Sequence, residues 1–120
     1  MSYLENANDL YKMIGEGHAM DAFEKYYHDD VVMIEANGEI RSGKETNRKF
    51  EQEFFSSIKE YHGGGVNSLT SNEQEGVTMV ESWMEATFND GNKVKMEEVA
   101  VQKWQDNQII QERFYYNLED

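Results

Sequence analysis

The chain has 120 residues, with 24 acidic against 11 basic side chains and a net charge of -13. That length builds one domain, assigned to residues 1–120, with a core of its own. The negative balance argues against nucleic acid and anionic membrane as partners, and the basic residues between Arg41 and Lys49 read as a solvated helical face. Without cysteine the chain has no disulfide, thiolate nucleophile or cysteine zinc site. The start Met1-Ser2-Tyr3-Leu4-Glu5 has neither a charged nor an apolar leader pattern, and no apolar run reaches spanning length, so a cytoplasmic location is the expectation.

Leu4, Ala7, Leu10, Tyr11 and Ile14 recur at three- and four-residue spacings and predict a first helix. Ser2 and Glu5 form its capping box, and Gly15 and Gly17 end it. A second short helix follows with Ala22, Phe23, Tyr26 and Tyr27 on one side, closing at His28-Asp29-Asp30 before a strand from Val31. That strand ends in Glu35, which shares a face with Met33 and Val31, while Val32, Ile34 and Ala36 take the other. A carboxylate between two apolar faces is costly to ionise, which makes Glu35 a candidate general base or acid. Asn37-Gly38 predicts a tight turn into Glu39-Ile40-Arg41.

Ser42 with Glu45 suggests the cap of a third helix, whose buried stripe is Phe50, Phe54, Phe55 and Ile58. His62-Gly63-Gly64-Gly65 then reads as a break. Four strands follow, over residues 66–70, 76–89, 92–105 and 108–118, the last three linked by Asn89-Asp90-Gly91-Asn92 and Asp106-Asn107. Three N-terminal helices packed against a strongly curved, mostly antiparallel sheet is an α+β architecture. His18, His28 and His62 lack ligand spacing, so no metal is expected, and no phosphate-cradling glycine motif supports a nucleotide or other cofactor.

The passage Phe23-Glu24-Lys25-Tyr26-Tyr27-His28-Asp29-Asp30-Val31-Val32, the segment Ile40-Arg41-Ser42-Gly43-Lys44, and the stretch from Ile109 to Asn117 resemble, in order and spacing, the nuclear-transport-factor-2-like superfamily. That superfamily has a cone-shaped fold and includes ketosteroid isomerases and SnoaL-like polyketide cyclases. The resemblance to the isomerase implies that Tyr11 occupies the place of its oxyanion-stabilising tyrosine and Glu35 that of its aspartate base. Ala100 takes the position of its neutral aspartic acid and cannot donate a hydrogen bond, which argues against steroid isomerisation.

If Ala100 faces the cavity, alternation places Glu98 and Gln102 beside it, and points Glu112, Phe114 and Tyr116 of the last strand inwards. Glu98 or Glu112 then offers a second carboxylate, although Glu98 beside Glu97 also reads as a solvated charge. Trp83 or Met84 lines the pocket from the middle strand, and Phe54 from the third helix. The expected catalytic residues are therefore Glu35 and Tyr11. The expected pocket residues are Phe54, Trp83, Glu98, Ala100, Glu112, Phe114 and Tyr116, around a small apolar molecule. Two functions follow: proton transfer next to a carbonyl, as in an isomerase or cyclase, or non-catalytic ligand binding or dimerisation. A homodimer through the outer face of the sheet is the assembly that the resemblance implies.

Overall fold

A computed structural model describes residues 2–118. Met1 and residues 119–120, the ends of the assigned domain, lie outside the described residues. The elements run α1 (Tyr3–Gly15), α2 (Ala19–Tyr26), β1 (Tyr27–Ile34), β2 (Ile40–Ser42), α3 (Lys44–Ser56), β3 (Ile58–Asn72), β4 (Val77–Phe88), β5 (Lys93–Gln105) and β6 (Gln108–Tyr115). They form one six-stranded sheet in the order β2-β1-β6-β5-β4-β3. Only the β1–β6 pair, which joins the N-terminal unit to the C-terminal meander, is parallel. This is the α+β cone expected from the sequence. Among the described residues no helix is long and apolar enough to cross a membrane.

The apolar stripes of α1 and α2 supply the core, whereas the stripe expected on α3 does not form: Phe50 is exposed, Phe54 and Phe55 are half-buried, Ile58 belongs to β3, and the buried residue of that helix is Asn47. Ala7 and Leu10 of α1, Ala22, Phe23 and Tyr26 of α2, and Val31 and Met33 of β1 join Trp104 and Ile109 in one buried cluster. At the start of α1, Ser2 and Glu5 make both arms of the capping box. Asp106 and Asn107 have φ of 51° and 65°, the left-handed pair that a two-residue hairpin between β5 and β6 demands.

Four boundaries differ from the sequence reading, one of them the end of β6, which stops at Tyr115 and leaves Tyr116 beyond the strand. Tyr27 begins β1 instead of ending α2, because it pairs with Ile109 of β6 and the sheet claims His28, Asp29 and Asp30 as well. Ser42 lies in β2 opposite Val32, so Gly43 caps α3 at φ 92°, ψ 146°, a conformation essentially confined to glycine. Another difference is β3, which starts at Ile58 and continues through His62-Gly63-Gly64-Gly65 with a register shift between Tyr61 and Gly63. The glycines persist in a strand because Trp83 lies against them. A Cβ on Gly63 would meet the indole at 3.4 Å, and one on Gly65 would meet its Nε1 at 3.2 Å.

Candidate functional site

The register of the meander decides which side chains share the inner face. Gln102 pairs with Thr78 on one side and Glu112 on the other, and Ala100 pairs with Val80 and Phe114. By alternation Ser82, Met84, Met96 and Glu98 lie on this face too. Trp83 does not. It pairs with Glu97 and Gly65 on the outer face, beneath the Lys95 ammonium, so its assignment to the pocket is corrected and the inner position belongs to Met84. The reason is the glycine run: the indole fills the space that side chains on Gly63 and Gly65 would take.

Two hydrogen-bonded clusters occupy the inner face. In the first, Glu112 is 2% exposed. Its Oε1 accepts from the Tyr27 hydroxyl at 2.6 Å, and its Oε2 from Gln102 Nε2 at 2.7 Å. Gln102 is aligned in turn by the Thr78 hydroxyl, which donates to its Oε1 at 2.7 Å and accepts from Trp104 Nε1 at 2.8 Å. Gln102 Nε2 also donates to the Tyr11 hydroxyl oxygen at 3.1 Å. Burial raises the Glu112 pKa, against the opposing pull of its two donors. Burial, reinforced by the charges of Glu112 and Glu98, holds the Tyr11 phenol well above its ordinary value, so the hydroxyl stays protonated.

The second cluster surrounds Glu35, just beyond the end of β1. Its Oε2 accepts from Arg41 Nη2 at 2.6 Å and its Oε1 from the Tyr116 hydroxyl at 2.8 Å. The pair is enclosed, with side chains 12% exposed for Arg41 and 14% for Glu35. Arg41 is therefore no part of a solvated face. Its guanidinium lies 3.5 Å from the Phe50 ring centroid, and its Nε donates to Asn47 Oδ1 at 3.1 Å. Asn47, the buried residue of α3, is fixed by donating to the carbonyls of Arg41 and Gly43. A carboxylate withdrawn from water needs a paired charge, and β2 delivers it six residues along the chain.

Two further carboxylates complete the site. Glu98 and Glu51 are half-buried and have no hydrogen-bond partner among the described residues. Burial, and next the charge of Glu112, push each up to about 7. Glu98 is thus not the solvated charge that its neighbour Glu97 suggests. Glu51 escaped the sequence reading, which followed the phenylalanines along α3. Its signal was its position one helical turn after Asn47, on the same inward stripe.

The structure gathers Tyr11, Glu98, Glu112, Phe114 and Tyr116 on the inner side, and brings Arg41, Glu51, Tyr27 and Gln102 to them. Ala100 is fully buried and supplies no donor. Phe54 packs edge-on against Phe55 and Phe88. Tyr11 and Glu35 are not hydrogen-bonded to each other: one is tied to Gln102, the other to Arg41 and Tyr116. Among the described residues no group of three His, Cys, Asp or Glu side chains is placed to hold a metal ion. A cleft of about 390 Å³ near the end of β6 is lined mainly from the outer face, by Glu81, Glu97, Val99 and Tyr115, and reaches Glu98 and Tyr116.

The model of the SnoaL-like domain family matches residues 1–116, and the chain belongs to that family. A SnoaL-like polyketide cyclase candidate from Mesorhizobium loti superposes with a TM-score of 0.85 at 30% identity, over 97% of this chain and 100% of that one. A polyketide cyclase candidate from Pseudomonas putida superposes at 0.80 with 19% identity, over 98% and 93%. A protein of ketosteroid isomerase-like fold from Catenulispora acidiphila, in complex with trimethylamine, superposes at 0.73 with 12% identity, over 92% and 84%. The last two likenesses concern the fold. No curated protein matches the chain.

The raised carboxylates make stability depend on pH. Between the unfolded value of 4.5 and the folded value of about 7, Glu51 and Glu98 bind more protons in the native state, so stability is greatest at the acid end and falls as pH rises through the window. The melting temperature should decrease from about pH 5 to about pH 7.5, and Glu98→Gln with Glu51→Gln should flatten that slope. An unchanged slope in the double variant would contradict the assignment.

Proposed function

We propose that the inner face binds a small, mostly apolar carbonyl compound and moves a proton at the carbon beside the carbonyl, in the manner of an isomerase or cyclase. One observation carries this reading: Glu98 and Gln102 share the inner face of β5 on either side of Ala100, and Gln102 holds the Tyr11 hydroxyl at 3.1 Å on that same face. A carboxyl group that titrates near 7 can take a proton from carbon and return it at neutral pH. The Tyr11 oxygen accepts from Gln102, which leaves its own hydrogen free to bond the carbonyl oxygen as charge develops there. Met84, Met96, Ala100 and Phe114 favour an apolar molecule over a sugar or nucleotide.

Glu35, the base candidate read from the sequence, has another part in this scheme. With both oxygens accepting hydrogen bonds, it anchors Arg41 and Tyr116. Glu98 carries the proton. The likeness to the cyclase candidate of Mesorhizobium loti supports the reaction class, while the residues are argued from this chain.

The test is exchange of the α-hydrogens of 2-tetralone in deuterated water, followed by NMR with and without protein. Wild-type protein should accelerate exchange, Glu98→Gln should lose roughly a hundredfold or more of that acceleration, and Glu35→Gln should keep the larger part. Unimpaired exchange in Glu98→Gln would overturn the role.

We propose further that the outer face of the sheet seats a second copy of the chain. Met79 and Tyr115 stand 46% and 49% exposed there, in register with Val101 and Val99. Sedimentation at micromolar concentration should give twice the chain mass, and a monomer would refute the pairing.

A further inference from the structure

Arg41 has more donors than the protein uses. Nε bonds Asn47, and Nη2 bonds Glu35 and approaches the Met33 sulfur at 3.9 Å. Nη1 is buried and has no hydrogen-bond partner among the described residues. Each guanidinium nitrogen of this type carries two N–H groups, and a buried donor left unpaired is expensive. The rest of the side chain is fixed too firmly for Nη1 to turn elsewhere. Phe50 stacks on its plane, Asn47 is held by backbone carbonyls, and Glu35 is held by Tyr116.

We infer that Arg41 Nη1 is a ligand-binding donor, and that the molecule this site takes presents to it a neutral oxygen acceptor, the carbonyl of a ketone, ester or amide. The surroundings select neutrality. Glu35 already compensates the guanidinium, and Glu51 and Glu112 lie near enough to feel its charge. An anionic ligand group would meet those carboxyl groups, whereas a carbonyl oxygen acquires negative charge only as the neighbouring carbon loses its proton. Glu51 makes no hydrogen bond to Nη1, although it lies within electrostatic reach. The inference rests on the proposed site and extends it: Arg41 would touch the ligand, supplying a donor that Ala100 cannot.

The chain has only three arginines, Arg41, Arg48 and Arg113, so the Arg41 guanidinium signals can be assigned by their loss in Arg41→Lys. Wild-type protein labelled with nitrogen-15 is titrated with 2-tetralone and, separately, with tetralin, which has the same two rings and no oxygen. The ketone should shift the Arg41 signals and bind about tenfold or more tightly than tetralin, since a site built around a hydrogen bond rejects the analogue that lacks it. Arg41→Lys, checked for cooperative melting, should bring the two affinities within about twofold. Arg41 signals that stay still while the ketone binds, or a preference that survives in Arg41→Lys, overturn the inference. So does failure of the ketone to bind at about millimolar concentration. The Arg41 signals are also those that remain in Arg48→Lys and in Arg113→Lys, so the wild-type titration stands even if Arg41→Lys does not fold. Ketone binding at Arg41 without hydrogen exchange supports this inference and removes the proton-transfer function. Exchange with unmoved Arg41 signals does the reverse.

Discussion

A carboxyl group with almost no exposed surface must find its hydrogen-bond donors inside the protein, and Glu112 finds them in Tyr27 and Gln102. That requirement reaches through three strands. Tyr27 opens β1, Gln102 sits in β5, and Glu112 itself lies in β6, in parallel register with Met33. The one parallel seam of the sheet is thus also where its most buried ionisable group is satisfied. Burial first, and the charge of Glu112 next, raises its neighbours Tyr11, Tyr27, Glu51 and Glu98 together.

The consequence is a division of labour among like residues. Glu112 is saturated with donors and holds the inner face together. Glu35 is saturated in a different way, by a cation and a phenol, and holds Arg41 in place. Glu51 and Glu98 have neither kind of partner, and they are the two whose pKa values stand near 7. The same side chain therefore serves to hold the fold at Glu112 and Glu35 and is left unpartnered at Glu51 and Glu98.

Much of this was legible in the sequence. The capping box at Ser2, the hairpin at Asp106-Asn107 and the alternation along β5 and β6 are local signals, and local signals survive folding. Alternation alone placed Glu98, Gln102 and Glu112 on the face of Ala100. What the sequence hid was non-local. Gly63-Gly64-Gly65 reads as a break until Trp83 of the neighbouring strand lies against it, and the same contact sends Trp83 outwards. Arg41 looked solvated because its partners come from the end of β1 and from α3, and Glu35 is itself held by Tyr116 from beyond β6. Glu51 was hidden by the phenylalanines around it, since the buried side of α3 is marked by a polar residue, Asn47.

The central claim is that the inner face keeps a carboxyl group poised between acid and base at neutral pH. A carbon-13 NMR titration of the Glu98 side-chain carboxyl tests it without any substrate. A midpoint of about 7 is the result this account predicts. A midpoint at the ordinary glutamate value of 4.5 would contradict it.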